Sequence, residues 1–210
     1  MSGRLDDRPR PPSVRALASV HHILPPPCYD WNDAMDFTLK NRDLDETLAV
    51  ANYWYPSEEA GDEEPRIVIP ATGELVTGFW QARAMDPTVG KRWQSPHGLR
   101  GDAIVVVYPH GPGNGDTVVV EGPMDALAAA GLGYLGISLL GATPPMSAID
   151  LTRRMTRGKI LLVADSDSPA TMAGLVPVFA ELGRGARLVV PTVAKDLAAH
   201  SPDERKGLLA

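Results

Sequence analysis

Between Asp116 and Val190 the chain alternates short, unbroken apolar runs with longer segments of helical period. Val118-Val119-Val120 and Ile160-Leu161-Leu162-Val163 carry no polar residue at either phase of a two-residue repeat. A strand of that kind is buried on both faces, as in a parallel sheet. The pattern predicts strands at Thr117–Glu121, Tyr134–Ser138, Lys159–Ala164 and Ala186–Val190. It predicts helices between them at Pro123–Ala130, Pro145–Thr156 and Pro169–Leu182, the first with proline near its first turn, where the missing N–H costs nothing. The expectation is an α/β lobe over residues 116–200, a parallel sheet with helices on both faces.

The upstream half reads differently. Residues 31–52 carry two short helical patterns, the first capped by Asn32 or Asp33 and bearing Phe37. Arg66–Pro70, a turn at Ala71-Thr72-Gly73 and Glu74–Arg83 have the form of a hairpin. Residues 84–101 read as a long loop, Asp102–Tyr108 as a strand, and His110–Gly115 as a sharp break. Residues 30–110 are therefore expected to form a small α+β lobe. Residues 1–29 read as a proline-rich tail with a short helix at 14–21, and residues 201–210 as a C-terminal tail.

Composition narrows the chemistry. The 210 residues are 44% hydrophobic, enough for a sizeable core, and the formal net charge of −6 rules out a generally basic nucleic-acid coat. Cys28 is the single cysteine, so no disulfide framework and no cysteine-rich zinc ribbon is available within the chain. The five histidines show no metal-ligand spacing. No apolar run reaches the length of a membrane span, and the first residues lack a secretory pattern, so the default expectation is cytoplasmic.

Two of the buried strands end in acid. Glu121 closes one, and Asp165 and Asp167 follow another. Ligands of open α/β sheets bind outside the carboxyl ends of strands, so these groups belong to one edge, provided the strand order makes them neighbours. Asp125 lies one helical turn beyond Glu121 and can point back to the same place. Mg²⁺, for which Mn²⁺ is the expected substitute, takes oxygen ligands and is commonly held by one or two carboxylates plus water. Two such ions about 3.5–4 Å apart stabilise the attacking and leaving oxygens of a phosphoryl transfer. Asp165 and Asp167 are the candidate metal ligands, and Glu121 is a candidate base or ligand. Taken singly, each carboxylate has a plain alternative as a cap or turn residue; the pairing of two acid-tipped strands in one array favours a metal site.

These residues resemble the Toprim domain of bacterial-type primases, topoisomerases and some nucleases. Val120-Glu121-Gly122-Pro123-Met124-Asp125-Ala126 is similar to the primase form of the glutamate motif. Leu140-Gly141-Ala142-Thr143 resembles the turn after the next strand, Asp165-Ser166-Asp167 resembles the Asp-Gly-Asp motif, and Lys195-Asp196 matches the late Lys-Asp. Upstream, Phe37–Leu44, Arg66–Pro70, Gly78-Phe79, Arg83 and Lys91–Pro96 follow the order of the primase polymerase region. The likeness covers roughly residues 31–200 and looks closest to primase-like Toprim proteins of phages and mobile elements. It departs at Pro123, at Pro169-Ala170 and at Ala194, which stands where the family can carry an acid.

The resemblance implies template-directed synthesis of short RNA primers from nucleoside triphosphates on single-stranded DNA. Arg66, Arg83, Lys91, Arg92 and Arg100 are read either as a basic groove for template and nucleotide phosphates or as ordinary solvated surface, the resemblance favouring Arg83 and Lys91 as the contacts, and Lys195 is a further candidate phosphate ligand. Asp196 is read either as an additional metal ligand or as a helix cap, and Trp93 either as a base-stacking or as a packing residue. The zinc and helicase-binding domains of full primases have no counterpart in the sequence. A replicative helicase or a separate zinc-domain protein is therefore the expected partner. A Toprim nuclease using the same carboxylates, and a non-enzymatic replication accessory, remain open alternatives.

Overall fold

The computed structural model describes residues 20–28, 35, 38–60, 64–86 and 88–210. The expected caps Asn32 and Asp33, Phe37, and most of the expected helix at 14–21 lie outside these residues. The last two positions of that helix form instead a short strand, β1 (Val20–His21), parallel to β4 (Val76–Thr77).

The upstream lobe is built on a four-stranded antiparallel sheet. Its strands are β2 (Tyr55–Ser57), β3 (Arg66–Pro70), β5 (Trp80–Ala84) and β6 (Trp93–Gln94), in the order β2-β3-β5-β6. The expected hairpin is present as β3 against β5, but its connection runs from residue 71 to 79 rather than closing at 71–73. Thr72 bridges to Ile104 instead. The long loop at 84–101 contains β6, which a two-residue strand leaves invisible to periodicity. Helix α1 (Glu46–Ala51) is capped by Asp45, whose carboxylate accepts the Leu48 N–H at 3.0 Å.

The second sheet has five strands. These are β7 (Val105–Val107), β8 (Thr117–Val120), β9 (Leu135–Ser138), β10 (Ile160–Val163) and β11 (Ala186–Val189), in the order β11-β10-β8-β9-β7. All neighbours are parallel except β7, which runs antiparallel to β9 and so belongs to this sheet, not to the upstream lobe. Every residue of β8, β9 and β10 is buried, as their unbroken apolar runs require.

Alternate side chains divide between the two faces. Val118, Val120, Leu161 and Val163 pack with α2 (Pro123–Gly131) and with the upstream lobe, through Leu48, Ile67 and Ile69. Val119, Ile160 and Leu162 pack with α3 (Met146–Met155) and α4 (Ala170–Ala180), through Ile149, Met172 and Phe179. The two lobes thus share one core, and helices cover both sheet faces.

Residues 201–210 are a helix rather than a tail. In α5 (Pro202–Leu209) the Ser201 and Glu204 side chains form a capping box, each accepting a backbone N–H from the other's end. Arg205 on this helix is buried. Its guanidinium donates to Leu197 O at 3.2 Å, Ala198 O at 2.9 Å and Asp43 O at 2.9 Å, and also to Arg42 O. One side chain therefore joins the C-terminal helix to both sides of the molecule.

Helix α2 lies directly on β9, with no side chain between. A Cβ placed on Gly136 would sit 2.1 Å from the Ala126 carbonyl oxygen, inside any tolerable contact. Gly136→Ala is expected to push α2 off the sheet and to lower stability by about 1–3 kcal/mol, read as a lower denaturant midpoint.

Candidate active site

Strands β8 and β10 are hydrogen-bonded neighbours, with Val119 opposite Leu162. Their carboxyl ends therefore open on the same edge, and Glu121 and Asp165 emerge there side by side. The Glu121 backbone is fixed: its carbonyl accepts the Ser138 hydroxyl and the Gly141 N–H, both at 2.9 Å. The Ser138 hydroxyl accepts in turn the N–H of Leu140, which has φ 60. The Leu140-Gly141 turn is thus part of the mounting for Glu121, and Arg100 secures it by donating to the Leu140 carbonyl at 2.6 Å.

The Glu121 side chain is 8% exposed, and its Oε1 is buried without a hydrogen-bond partner. Burial raises its pKa, and repulsion from Asp165 raises it further, against hydrogen bonds from the Asp165 backbone and Ser168. Asp165 is raised by burial and by Asp196, with Lys195 opposing. Asp125, on the first turn of α2, accepts the Ala198 N–H at 2.8 Å. Burial, then repulsion from Asp196, pushes its pKa up to about 7. Gly122 leaves room for this carboxylate, since a Cβ there would lie 2.9 Å from Asp125 Oδ2.

Asp196 caps the 3₁₀ turn Leu197–Ala199, accepting the Ala199 N–H at 2.8 Å, so the capping role is present. It also faces the site, 3.9 Å from the Arg42 guanidinium. Asp167 is exposed, and its carboxylate lies 2.9 Å from the Lys195 ammonium, which holds its pKa low. Lys195 is thus committed to a carboxylate in this structure.

Across from the acidic edge stands the face of β5 and β6. Arg83 lies over the Trp93 ring, 5.1 Å from its centroid, a cation–π contact. Burial and the nearby Arg42 and Arg92 lower the Arg83 pKa to about 10, so it remains a cation at neutral pH. A cleft of about 460 Å³ separates the two walls, lined by Glu121, Asp125 and Asp165 on one side and Arg83, Arg92 and Trp93 on the other. Arg42 and Gln81 also line it. Neither was singled out from the sequence, although Arg42 stands in one of the stretches quoted for the resemblance.

Two expected phosphate ligands are placed elsewhere. Arg66 is 3% exposed; it pairs with Glu64 at 2.8 Å and donates to the Lys91 carbonyl at 3.1 Å. It braces the β6 loop from below and is not presented to a ligand, because a carboxylate two residues away holds it inside. Lys91 is exposed outside the cleft wall. Trp80 is a packing residue whose indole N–H donates to the Ile23 carbonyl at 3.1 Å.

Among the described residues, no three histidine, cysteine or carboxylate side chains form a ready-made metal cage. The donor set still fits a hard divalent cation. Mg²⁺ needs few protein ligands and keeps its waters. Glu121 offers a buried oxygen without a partner, and the pKa values of Glu121 and Asp165 are raised by burial and then by neighbouring carboxylates, both of which a bound cation would offset.

The fold has counterparts among solved structures. The chain is similar to part of a crystal structure of the Aquifex aeolicus primase that contains its zinc-binding and RNA polymerase domains, at 16% identity and TM-score 0.54, covering 83% of this chain and 52% of that one. It is similar to the RNA polymerase domain of Mycobacterium tuberculosis primase DnaG, at 15% identity and TM-score 0.56, covering 86% and 76%. A DNA primase domain from Pseudomonas aeruginosa gives 16% identity and TM-score 0.55, covering 84% and 68%. The chain spans about half the length of the Aquifex structure. No protein-family model and no curated protein matches the sequence. At these identities the likeness establishes a mixed α/β fold of the primase-domain kind.

The buried Asp125 makes stability depend on pH. In the unfolded chain its proton leaves near the ordinary value of 3.8, whereas the folded protein holds it to about 7. The unfolded state therefore binds fewer protons between these values, and stability falls as pH rises through the interval. In chelator, Asp125→Asn is expected to flatten this decline in Tm between pH 4.5 and 7.5; an unchanged slope would show that the carboxyl titrates normally.

Proposed function

We propose that this chain is a DNA primase catalytic core of the Toprim type, making short RNA primers on single-stranded DNA. The observation that carries the reading is the pairing of β8 with β10. It aims Glu121 and Asp165 into a cleft whose far wall is cationic. The shared fold of primase RNA polymerase domains supports it.

In this reading Asp165, Asp167 and Asp196 would hold Mg²⁺, with Glu121 as a further ligand or as the general base, and Asp125 beside them. Bound there, Mg²⁺ neutralises the carboxylates and supplies Lewis-acid stabilisation to a phosphoryl oxygen. The primer 3′-hydroxyl attacks the α-phosphate of the incoming nucleotide, a new O–P bond forms, and the bond to pyrophosphate breaks. In the role of base, Glu121 takes the hydroxyl proton. Arg83 and Arg92 stand on the facing wall, where guanidinium forks balance the triphosphate charge. Asp125 acts from behind by gripping the Ala198 N–H, which fixes the segment carrying Asp196.

The test is primer synthesis by the purified protein with single-stranded DNA, four ribonucleotides and Mg²⁺. Asp165→Ala/Asp167→Ala is expected to lower synthesis by at least about a hundredfold. Retained synthesis in that variant would refute the mechanism. Metal-dependent cleavage of nucleic acid without synthesis would identify a nuclease instead, and neither activity would point to an accessory binding role.

Arg83 gives a second check. Arg83→Ala removes a half-buried cation facing the substrate and should raise the nucleotide KM by roughly tenfold, about 1.4 kcal/mol, in steady-state kinetics. Arg66→Ala should act through stability, seen as a lower Tm, because its guanidinium is buried against Glu64.

A further inference from the structure

The turn after β10 and the segment after β11 are joined twice at one residue. The Lys195 carbonyl accepts the Ser166 N–H at 2.8 Å, and the Lys195 ammonium lies 2.9 Å from the Asp167 carboxylate. The backbone contact fixes the root of the lysine beside the Asp165-Ser166-Asp167 turn. Asp165 and Asp196 are the next carboxylates whose charge acts on the ammonium. Lys195 itself lines the cleft.

The acidic edge is thereby neutralised unevenly. Asp167 has a cation in contact, whereas Glu121 presents a buried oxygen with no hydrogen-bond partner. A carboxylate contacted by an ammonium is a poorer ligand for a second cation, because the two like charges repel.

We propose that Lys195 is a resident counter-ion of the acidic edge, which a divalent cation must displace from Asp167, so that the lysine sets the metal concentration at which the site fills. The inference rests on the reading of Glu121 and Asp165 as a metal-holding edge. Its distinct content is that Lys195 opposes metal binding rather than organising the ligands for it. Displacement also gives the released ammonium a role, since it is then a free cation at the rim of a cleft read as taking a triphosphate. Both partners are surface groups, with side chains 61% and 59% exposed, so replacing the lysine leaves the core intact.

The experiment is Mn²⁺ titration of the full chain, with free Mn²⁺ followed by electron paramagnetic resonance. The proteins are wild type, Lys195→Gln, Lys195→Arg and Asp165→Asn. Lys195→Gln is expected to bind Mn²⁺ about three- to tenfold more tightly at low salt, and the gain should shrink in about 0.5 M salt as the pair is screened. Lys195→Arg keeps the charge and should stay within about twofold of wild type. Binding that is lost in Asp165→Asn but unchanged or weaker in Lys195→Gln overturns the role of Lys195 alone. Wild-type protein that binds no Mn²⁺, or binds it equally well as Asp165→Asn, overturns the metal-holding edge and this inference with it.

Discussion

The burial of carboxylates gathered at one sheet edge, with the repulsion between them, is the constraint around which the cleft is arranged. Adjacent parallel strands β8 and β10 deliver Glu121 and Asp165 to the same opening. Burial and proximity raise the pKa of both, and of Asp125 with them. A stable fold tolerates such a cluster only if each acid has a compensating partner or if the site is completed by a cation.

The surrounding elements supply those compensations locally. Asp125 accepts the Ala198 N–H, Asp196 accepts the Ala199 N–H, and Asp167 lies against Lys195. Glu121 is secured through its backbone by Ser138 and Gly141, which leaves one side-chain oxygen without a partner. Arg205 ties the 197–198 segment, which follows Asp196, to the turn that carries Arg42, so one buried guanidinium joins the segments on which these two cleft residues stand. Each of these contacts belongs to the packing of the lobes, and each also sets the position of a charged group in the cleft.

The α/β lobe was legible because its strands are apolar at every position, which only burial on both faces explains. Glu121 and Asp165 were legible as strand-end acids. Their adjacency was not, since strand order is a tertiary fact. The sheet membership of β7 was hidden for the same reason. Strand β6 escaped because two residues carry no period; Trp93 and Gln94 become a strand only by pairing with Arg83 and Ala82. Arg66 was misread because its chemistry suits phosphate as well as it suits Glu64, and burial decides between them. The C-terminal helix had a readable signal in Ser201-Pro202-Asp203-Glu204, a capping box with proline at its first position, which the tail reading passed over.

The central claim, that the acidic edge is built to be completed by a divalent cation, is tested most directly by the melting temperature with and without Mg²⁺ at two pH values. A cation bound only by the folded state stabilises it by mass action, and the carboxylates must be ionised to take it. The account predicts a clear rise in Tm with millimolar Mg²⁺ at pH 8, a much smaller one at pH 5, and none in Glu121→Gln. A Tm indifferent to Mg²⁺ at pH 8, or a rise that survives in Glu121→Gln, would contradict it.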